Sequence, residues 1–188
     1  MAWEAEQRGR HACVAQPCKQ IYLESLWGDG KVDLATIDYE SLAGYENGWE
    51  DTLSKPWVDV DIVYIPVNFK GGHWLLAQLD LRKKEIWLYD SSIVLYDDLN
   101  YFRKLLPLRV IISHWLARID FYKTHEDKQP NRCWECKRFY DLPQQTPARG
   151  GCGVYMLMYM SYLMLGHIPN FIYCGDLLRK MIAMDEIL

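Results

Sequence analysis

The stretch GGCGVYMLMYMSYL, residues 150–163, decides the fold because it joins a glycine-rich turn to a long apolar run. The run continues to Leu165 and stops at Gly166, which predicts a buried helix over residues 153–165. Its methionines are typical of a packed core, since this side chain fills irregular gaps. Cys152 therefore lies at the helix start, where free backbone N–H groups and the helix dipole favour a thiolate.

Three segments upstream are rich in Ile, Val, Trp and Tyr, the residues that favour strands. We predict strands over residues 60–67, 74–80 and 85–89, with the polar segment LRKK as the turn between the last two. A further short strand is predicted over residues 137–142, immediately before PQQ. These strands are expected to form a small mixed β-sheet.

Helices are predicted over residues 99–106 and 110–119, with Pro107 ending or kinking the first of them. An amphipathic helix over residues 176–187 closes the chain, and the polar stretch THEDKQPNRCWEC, residues 124–136, predicts a surface insertion. Before residue 56 only a helix near residues 34–45 is expected. The pattern as a whole predicts an α+β fold in which helices pack on the sheet.

The composition is that of one globular domain with a sizeable core, since 188 residues are half hydrophobic and about a quarter charged. The net charge of −4 gives no general attraction to nucleic acid. The N-terminal MAWEAEQRGRHA lacks the apolar segment of a secretory signal, and the apolar stretch 154–165 is too short to span a bilayer. We expect a monomer in the nucleus or cytoplasm that binds neither nucleic acid nor membrane.

Six cysteines without a secretory signal indicate reduced thiols. The CWEC run, Cys133 to Cys136, would be half of a zinc site if His125, or Cys13 and Cys18, supplied the other ligands. Structural zinc sites usually have two closely spaced ligand pairs, and the second pair here is distant and loosely spaced. We therefore expect neither a metal nor any other cofactor.

His73, Asp90 and Cys152 follow one another in the chain, each at the predicted end of an element. His73 stands in GGHW and Asp90 closes IWLYD. An imidazole can take the proton of a thiol, and a carboxylate can hold that imidazole in the required tautomer. The three residues are therefore a candidate catalytic triad with Cys152 as the nucleophile.

Glycines surround the candidate nucleophile at positions 150, 151 and 153. We expect all three to let the backbone turn sharply and to let a substrate main chain approach closely. Gly151, directly before Cys152, is accordingly a candidate substrate-binding residue.

Residues 57–165 resemble the catalytic domain of the ubiquitin-like protease (Ulp1/SENP) family of cysteine peptidases. The resemblance rests on PWVDVDIVYIPVN, HWLLAQLDLRKKEIWLYDSS, PQQ and CGVYMLMYMSYL, and on the seventeen-residue spacing from His73 to Asp90. The order His, Asp, Cys excludes papain-like proteases, whose cysteine comes first. The resemblance implies an adenain/Ulp1-like fold and cleavage after the C-terminal Gly-Gly of a ubiquitin-like modifier, SUMO above all, through an acyl-enzyme.

The resemblance also assigns roles to residues outside the triad. Gln145, with Gln144 as the reserve, would donate to the oxyanion of the tetrahedral intermediate. Trp74 would cover a narrow tunnel that admits the Gly-Gly tail and excludes side chains. The chain departs from the family pattern at Gly151, where most members have Asp, and the step from Gln145 to Cys152 is one residue longer than usual.

The N-terminal part is the largest departure from the family pattern. Trp27 in SLWGDG is the nearest equivalent of a second tunnel tryptophan. We therefore divide the chain into an atypical or incomplete N-terminal part, residues 1–55, and a catalytic domain, residues 56–188. Two other functions stay open: a catalytically impaired module that binds a ubiquitin-like protein, and an acyltransferase that uses the same Cys, His and acid arrangement.

Overall fold

The computed structural model describes residues 12–14, 56–69, 72–95, 97–125, 134–146, 150–172 and 180. Five strands form one mixed sheet in the spatial order β1 (Ala12–Val14), β2 (Ile62–Phe69), β3 (His73–Asp80), β4 (Glu85–Tyr89) and β5 (Glu135–Phe139). β2, β3 and β4 pair antiparallel, whereas β1 joins β2 and β5 joins β4 in parallel. The described chain thus contains the small mixed sheet that its strand pattern predicts.

The described helices lie on both faces of this sheet. They are α1 (Asp98–Lys104), α2 (Leu106–Arg118), α3 (Phe121–Thr124) and α4 (Cys152–Met164), with a short 3-10 turn at Trp57–Asp59. No helix in this part of the chain is long and apolar enough to cross a membrane.

Side chains alternate along the three central strands between two cores. On β3, for example, Leu75, Ala77 and Leu79 join the core beneath α1 and α2, whereas Leu76 joins the core beneath α4. Each strand is buried on both sides, which accounts for the continuous apolar runs in the sequence. The α4 face contains the methionines of MLMYM, and Met156 and Met158 are buried there as expected.

Most element boundaries agree with the sequence to within two residues. β4 coincides with its prediction, β3 begins one residue early at His73, and β2 lies two residues later than expected. LRKK forms the predicted turn, in which Lys84 takes a positive φ of 58°. Pro107 does not end the first helix; it lies in the first turn of α2, where its missing N–H costs no hydrogen bond.

The prediction that residues 124–136 form a surface insertion is wrong at the C-terminal end of that range. Trp134 is fully buried in the core beneath α2, and β5 begins at Glu135, two residues before the predicted strand. Charged residues surround Trp134 in the sequence, so the hydrophobicity pattern does not indicate that a strand begins there.

Several predictions fall on residues that the structure does not describe. They concern the helix near residues 34–45, the tunnel role of Trp27, the zinc ligands Cys18 and Cys133, and the closing helix apart from Lys180. The division at residue 55 also stays a prediction, although β1 from the N-terminal part adds an edge strand to the sheet.

Candidate active site

His73 and Asp90 meet at one end of the sheet. His73 is the first residue of β3, Asp90 directly follows β4, and the His73 Nε2 atom lies 2.7 Å from Asp90 Oδ1. Both residues are almost completely buried, with 3% and 1% of their surfaces exposed. A short contact between two such groups, shielded from water, is stronger than the same pair at the surface.

Four donors surround the Asp90 carboxylate. Oδ1 accepts from His73 and from the Ser92 backbone N–H at 2.8 Å, while Oδ2 accepts from the Tyr101 hydroxyl and, at 3.4 Å, from Arg138. Burial alone would raise the pKa of Asp90 and is the largest single influence. The hydrogen bonds from His73, Tyr101 and Ser92 outweigh it, so that the pKa of Asp90 lies below its ordinary value.

An ionised Asp90 determines the tautomer of His73. A carboxylate can only accept hydrogen bonds, so Nε2 of the neutral imidazole must carry the proton that it donates to Asp90. The other ring nitrogen, Nδ1, is then unprotonated and can take a proton from a neighbouring group. The pair therefore has the form of a general base with its orienting carboxylate.

Cys152 is the first residue of α4, as the glycine-rich turn indicates, and it is half-buried. It lines an open groove of about 530 Å³ together with Trp74, the residue that follows His73 in β3. Gly150, Gly151 and Gly153 line the same groove. The chain thus brings the candidate nucleophile, the candidate tunnel tryptophan and the glycines to one surface.

The three glycines do not share one conformational role. Only Gly150 among them has a positive φ, 29°, which favours glycine because it lacks a Cβ. Gly151 has a φ of −112°, and Gly153 lies within α4. A Cβ at Gly153 would lie 3.8 Å from the Trp74 ring, an ordinary contact. The backbone conformation thus favours glycine at position 150 alone, whereas the expected close approach of a substrate main chain at Gly151 and Gly153 stays a prediction.

The two glutamines of PQQ have different surroundings. Gln145 Oε1 accepts from the Gly151 N–H at 2.9 Å, and because a backbone N–H can only donate, the amide NH₂ occupies the other end of the group. Gln144 instead accepts from the Ile93 N–H at 3.0 Å and donates to the carbonyls of Asp90 and Leu142. Gln145 is thus joined to the turn before Cys152, and Gln144 to the loop after Asp90.

Two more contacts fix the PQQ segment. The Tyr159 hydroxyl, on α4, donates to the Pro143 carbonyl, and the Gln145 N–H donates to the Ser91 carbonyl at 2.9 Å. Burial raises the pKa of Tyr159 far above its ordinary value, so the hydroxyl keeps the proton that it donates. The segment therefore ties the helix of Cys152 to the loop of Asp90.

Tyr101 and Arg138 are site residues that the sequence does not single out. Tyr101 is fully buried on α1 and Arg138 is buried on β5, and both contact Asp90 Oδ2. Neither stands in one of the four short segments on which the family resemblance rests, and no spacing links them to Asp90. Only the packing of α1 and β5 around the end of β4 reveals them.

The described residues include no group of three His, Cys, Asp or Glu side chains arranged to hold a metal ion. Cys136 lies on β5, where burial raises its pKa to about 12. His125 contacts the Val58 carbonyl through Nε2 and Arg82 through Nδ1. Both ring nitrogens of this histidine thus have partners within the protein.

Solved structures share this fold. The C-terminal Ulp1 protease domain in complex with Smt3, the yeast ortholog of SUMO, is 16% identical, with a TM-score of 0.56, covering 98% of this chain and 73% of that chain. The SUMO protease Ulp1 with its catalytic cysteine oxidised to a sulfonic acid is 19% identical, with a TM-score of 0.59 and coverages of 98% and 74%. The Chaetomium thermophilum Ulp1-like SUMO protease catalytic domain is 18% identical, with a TM-score of 0.53 and coverages of 89% and 55%.

At these identities the solved structures establish the fold alone, and no curated protein matches the sequence significantly. The family model described as "Ulp1 protease family, C-terminal catalytic domain" matches residues 35–186. That match covers most of the chain and includes all of the residues described above except those of β1. The chain therefore belongs to the Ulp1 protease family of cysteine proteases and contains its catalytic domain.

Proposed function

We propose that this chain hydrolyses the peptide or isopeptide bond after the C-terminal Gly-Gly of a ubiquitin-like modifier. Cys152 attacks the glycyl carbonyl, and His73 takes the thiol proton and later returns one to the leaving amine. Asp90 orients His73 and stabilises its cationic form. Water then hydrolyses the acyl-enzyme, with His73 again acting as the base.

One observation carries this proposal: the 2.7 Å contact between His73 Nε2 and an ionised Asp90. This contact leaves Nδ1 of His73 free to act as a base. His73 is adjacent in sequence to Trp74, which lines the same groove as Cys152. The other donors to Asp90 help to keep this carboxylate ionised despite its burial. Cys152 is the first residue of α4 and lines this groove.

Gln145 and the Cys152 backbone N–H are the proposed oxyanion donors. Because the Gly151 N–H holds the Gln145 oxygen, the amide NH₂ stays close to the turn that ends at Cys152. A preformed donor of this kind is worth roughly 3–4 kcal/mol in the transition state. This contact supports Gln145 over Gln144, whose amide is already hydrogen-bonded at both ends.

Trp74 and Gly151 are the proposed substrate-binding residues. The groove beside Cys152 is almost entirely apolar and includes three glycines, so a substrate backbone without side chains can approach the thiol closely. A Gly-Gly tail meets this requirement. Trp74→Ala should raise KM and lower kcat, because the glycyl carbonyl is no longer held in line with Cys152.

SUMO is the first modifier to test, because a solved Ulp1 domain of the same fold is in complex with Smt3, the yeast ortholog of SUMO. A monomeric enzyme in the nucleus or cytoplasm is part of the proposal. NEDD8 and ubiquitin serve as the competing modifiers.

The test is covalent capture by modifiers that carry a C-terminal electrophile. We expect SUMO to be captured at Cys152 by the wild type, and hydrolysis of a SUMO-fluorophore conjugate to be abolished in Cys152→Ala with SUMO binding retained. Cys136→Ala is the matched control, since it removes another thiol of the described chain that lies away from the groove; it should leave capture intact.

The outcomes separate the alternatives. Binding of a modifier without capture would identify a catalytically impaired binding module. Acetylation of a protein substrate from acetyl-CoA, without capture, would identify an acyltransferase. Turnover by Cys152→Ala above background would refute Cys152 as the nucleophile.

A further inference from the structure

A buried arginine lies on the side of Asp90 that faces away from His73. Arg138 donates to Asp90 Oδ2 at 3.4 Å and to the Ile93 carbonyl at 3.2 Å, with only 4% of its side chain exposed. Its guanidinium also stacks on the Tyr101 ring at 4.5 Å. The same tyrosine donates its hydroxyl to Asp90, so the ring and the cation hold one carboxylate oxygen together.

Asp98 balances the charge of Arg138. Arg138 Nη1 donates to Asp98 Oδ1 at 2.8 Å, a shorter contact than the one with Asp90, and the Tyr140 hydroxyl donates to the other Asp98 oxygen. These bonds, led by the one from Tyr140, hold the pKa of Asp98 below its ordinary value, so that the carboxylate stays charged. The cation therefore lies between two carboxylates on different elements.

We propose that Arg138 and Asp98 form a positioning pair that fixes Asp90 against His73 while leaving the charge of Asp90 available to the imidazole. The inference rests on the proposed function, in which Asp90 orients His73. Arg138 is a positioning residue, because it acts through Asp90 and not on substrate.

The charge count explains why two partners are needed. Arg138 alone would neutralise Asp90 and weaken its attraction for a protonated His73. With Asp98 present, the trio of Asp90, Arg138 and Asp98 carries a net charge of −1, which a protonated His73 brings to zero. The arrangement thus combines a rigid carboxylate with electrostatic support for the cationic base.

Ionisable groups on several neighbouring elements of the described chain act on this cluster. The ionisable or charged groups facing it are His73 on β3, Asp98 and Tyr101 on α1, Cys136 and Arg138 on β5, Tyr140 after β5 and Tyr159 on α4. Burial raises the pKa of the Cys136 thiol to about 12 and that of Tyr159 further. Neither of these two therefore changes charge between pH 5 and 9.

The experiment compares three variants of the full chain by two measurements. Arg138→Gln removes the cation. Arg138→Lys keeps the positive charge but loses the planar guanidinium, whose two nitrogens donate to different carboxylates. Asp98→Asn removes the balancing anion. The first measurement is the pH profile of Cys152 alkylation by iodoacetamide, read from the Cys152 peptide by mass spectrometry. The second is kcat and KM for the modifier conjugate.

The pH profile should move in opposite directions for the two members of the pair. Arg138→Gln removes a cation, which makes protonation of the Cys152 and His73 pair easier, so the alkylation profile should move to higher pH. Asp98→Asn removes an anion and should move the alkylation profile to lower pH. Arg138→Lys should keep the wild-type profile yet lose about tenfold or more in kcat with little change in KM, because Asp90 is less well held.

Lys137→Gln is the matched control. It removes a cation from the neighbouring residue of β5, which pairs with Glu85 and Glu135 instead of Asp90, and it should leave both measurements unchanged. Asp98 is 43% exposed at its side chain, so Asp98→Asn is expected to fold even if Arg138→Gln does not.

The outcomes distinguish this inference from the proposed function. If wild-type capture succeeds but Asp98→Asn and Arg138→Lys match the wild type in both measurements, the positioning pair is refuted and the protease stands. Profiles that move in the same direction in Asp98→Asn and Arg138→Gln would also refute it. If no modifier is hydrolysed or captured by the wild type, the proposed function fails, while the alkylation profiles still test the pair.

Discussion

Gln144 and Gln145 are chemically identical neighbours whose hydrogen bonds place them in different surroundings. The carbonyl oxygen of Gln145 is held by the turn before Cys152, whereas both ends of the Gln144 amide are occupied by the backbone after Asp90 and at Leu142. The direction of each side chain therefore decides which of the two NH₂ groups lies close to the turn before Cys152.

We predict that Gln145→Ala lowers kcat by about 100-fold or more with little change in KM, because an oxyanion donor acts only in the transition state. Gln144→Ala should cost less in kcat. It should, however, lower the free energy of unfolding by about 1–3 kcal/mol, since three backbone groups lose their partner. Steady-state kinetics and urea unfolding of both variants measure these effects. An exchange of the two kinetic phenotypes would make Gln144 the donor.

Asp90 should contribute to stability in a pH-dependent way. Its pKa in the folded protein lies below the ordinary 3.8, so its contribution is fully present above that value and is lost as the pH falls through the lower, folded-state pKa. The free energy of unfolding of Asp90→Asn should therefore be lower than that of the wild type by a constant amount at neutral pH. The gap should narrow below about pH 4. A gap that stays constant in acid would mean that Asp90 is not ionised in the native protein.

The sequence predicts the candidate site residues that belong to a motif, but it does not predict the residues that contact and support them. His73, Asp90 and Cys152 each stand at the end of a recognisable apolar run, and that is where the structure puts them. Tyr101 and Arg138 sit within ordinary helical and strand patterns. Their contact with Asp90 depends on three-dimensional packing that one sequence does not encode in any local pattern.

At the scale of elements, the PQQ segment is a strap between α4 and the end of β4. One anchor of this segment on α4 is the Tyr159 hydroxyl, which donates to the Pro143 carbonyl. The neighbouring Gln145 N–H bonds to Ser91 on the other side. A substitution that weakens this strap should thus change the orientation of the Gln145 side chain without changing the residues that line the groove beside Cys152.

We predict that Tyr159→Phe lowers kcat by about tenfold with little effect on KM, because Gln145 is less well aligned. The loss of one hydrogen bond should also reduce the free energy of unfolding by about 1 kcal/mol. Tyr162→Phe is the control on the same helix, since its ring contact with Phe171 is kept. Equal kinetics for the two variants would show that the strap does not position Gln145.

Elements with a clear periodicity are also the ones that the sequence predicts well. β3, β4 and α4 are bounded by Gly or polar turns, and their limits agree with the sequence to within one residue. The sequence does not predict the start of β5, because Trp134, though fully buried, is preceded by a polar stretch and followed by Glu135. Burial of that indole depends on α2, which no local pattern could link to it.

At the scale of the whole molecule, the sheet separates a supporting core from the core beneath the candidate nucleophile. His73 and Asp90, the candidate base and its carboxylate, lie at one end of β3 and β4, and Cys152 is the first residue of α4, which packs on the other core. The candidate site is therefore assembled from both sides of one sheet. The alternation of side chains that produces this arrangement is visible in the sequence, but the identity of the covering helices is not.

The two parallel pairings of the sheet have a consequence for the order of folding. β1 pairs with β2, and β4 with β5, between residues fifty positions apart, whereas the two antiparallel pairings are closed by four- and five-residue steps. Closing the longer loops costs about 2 kcal/mol more in chain entropy. The meander of β2, β3 and β4 should therefore form first, with His73 and Asp90 already near each other.

The edge strand β5 and the helix α4 would join this meander later, so His73 and Asp90 would be close together before α4, which begins at Cys152, is in place. Pulse-labelled hydrogen exchange during refolding should show protected amides in β3 and β4 before β5 and α4. Cys152 would then remain open to alkylation until the last stage of refolding. Simultaneous protection of all four elements would indicate a single concerted step instead.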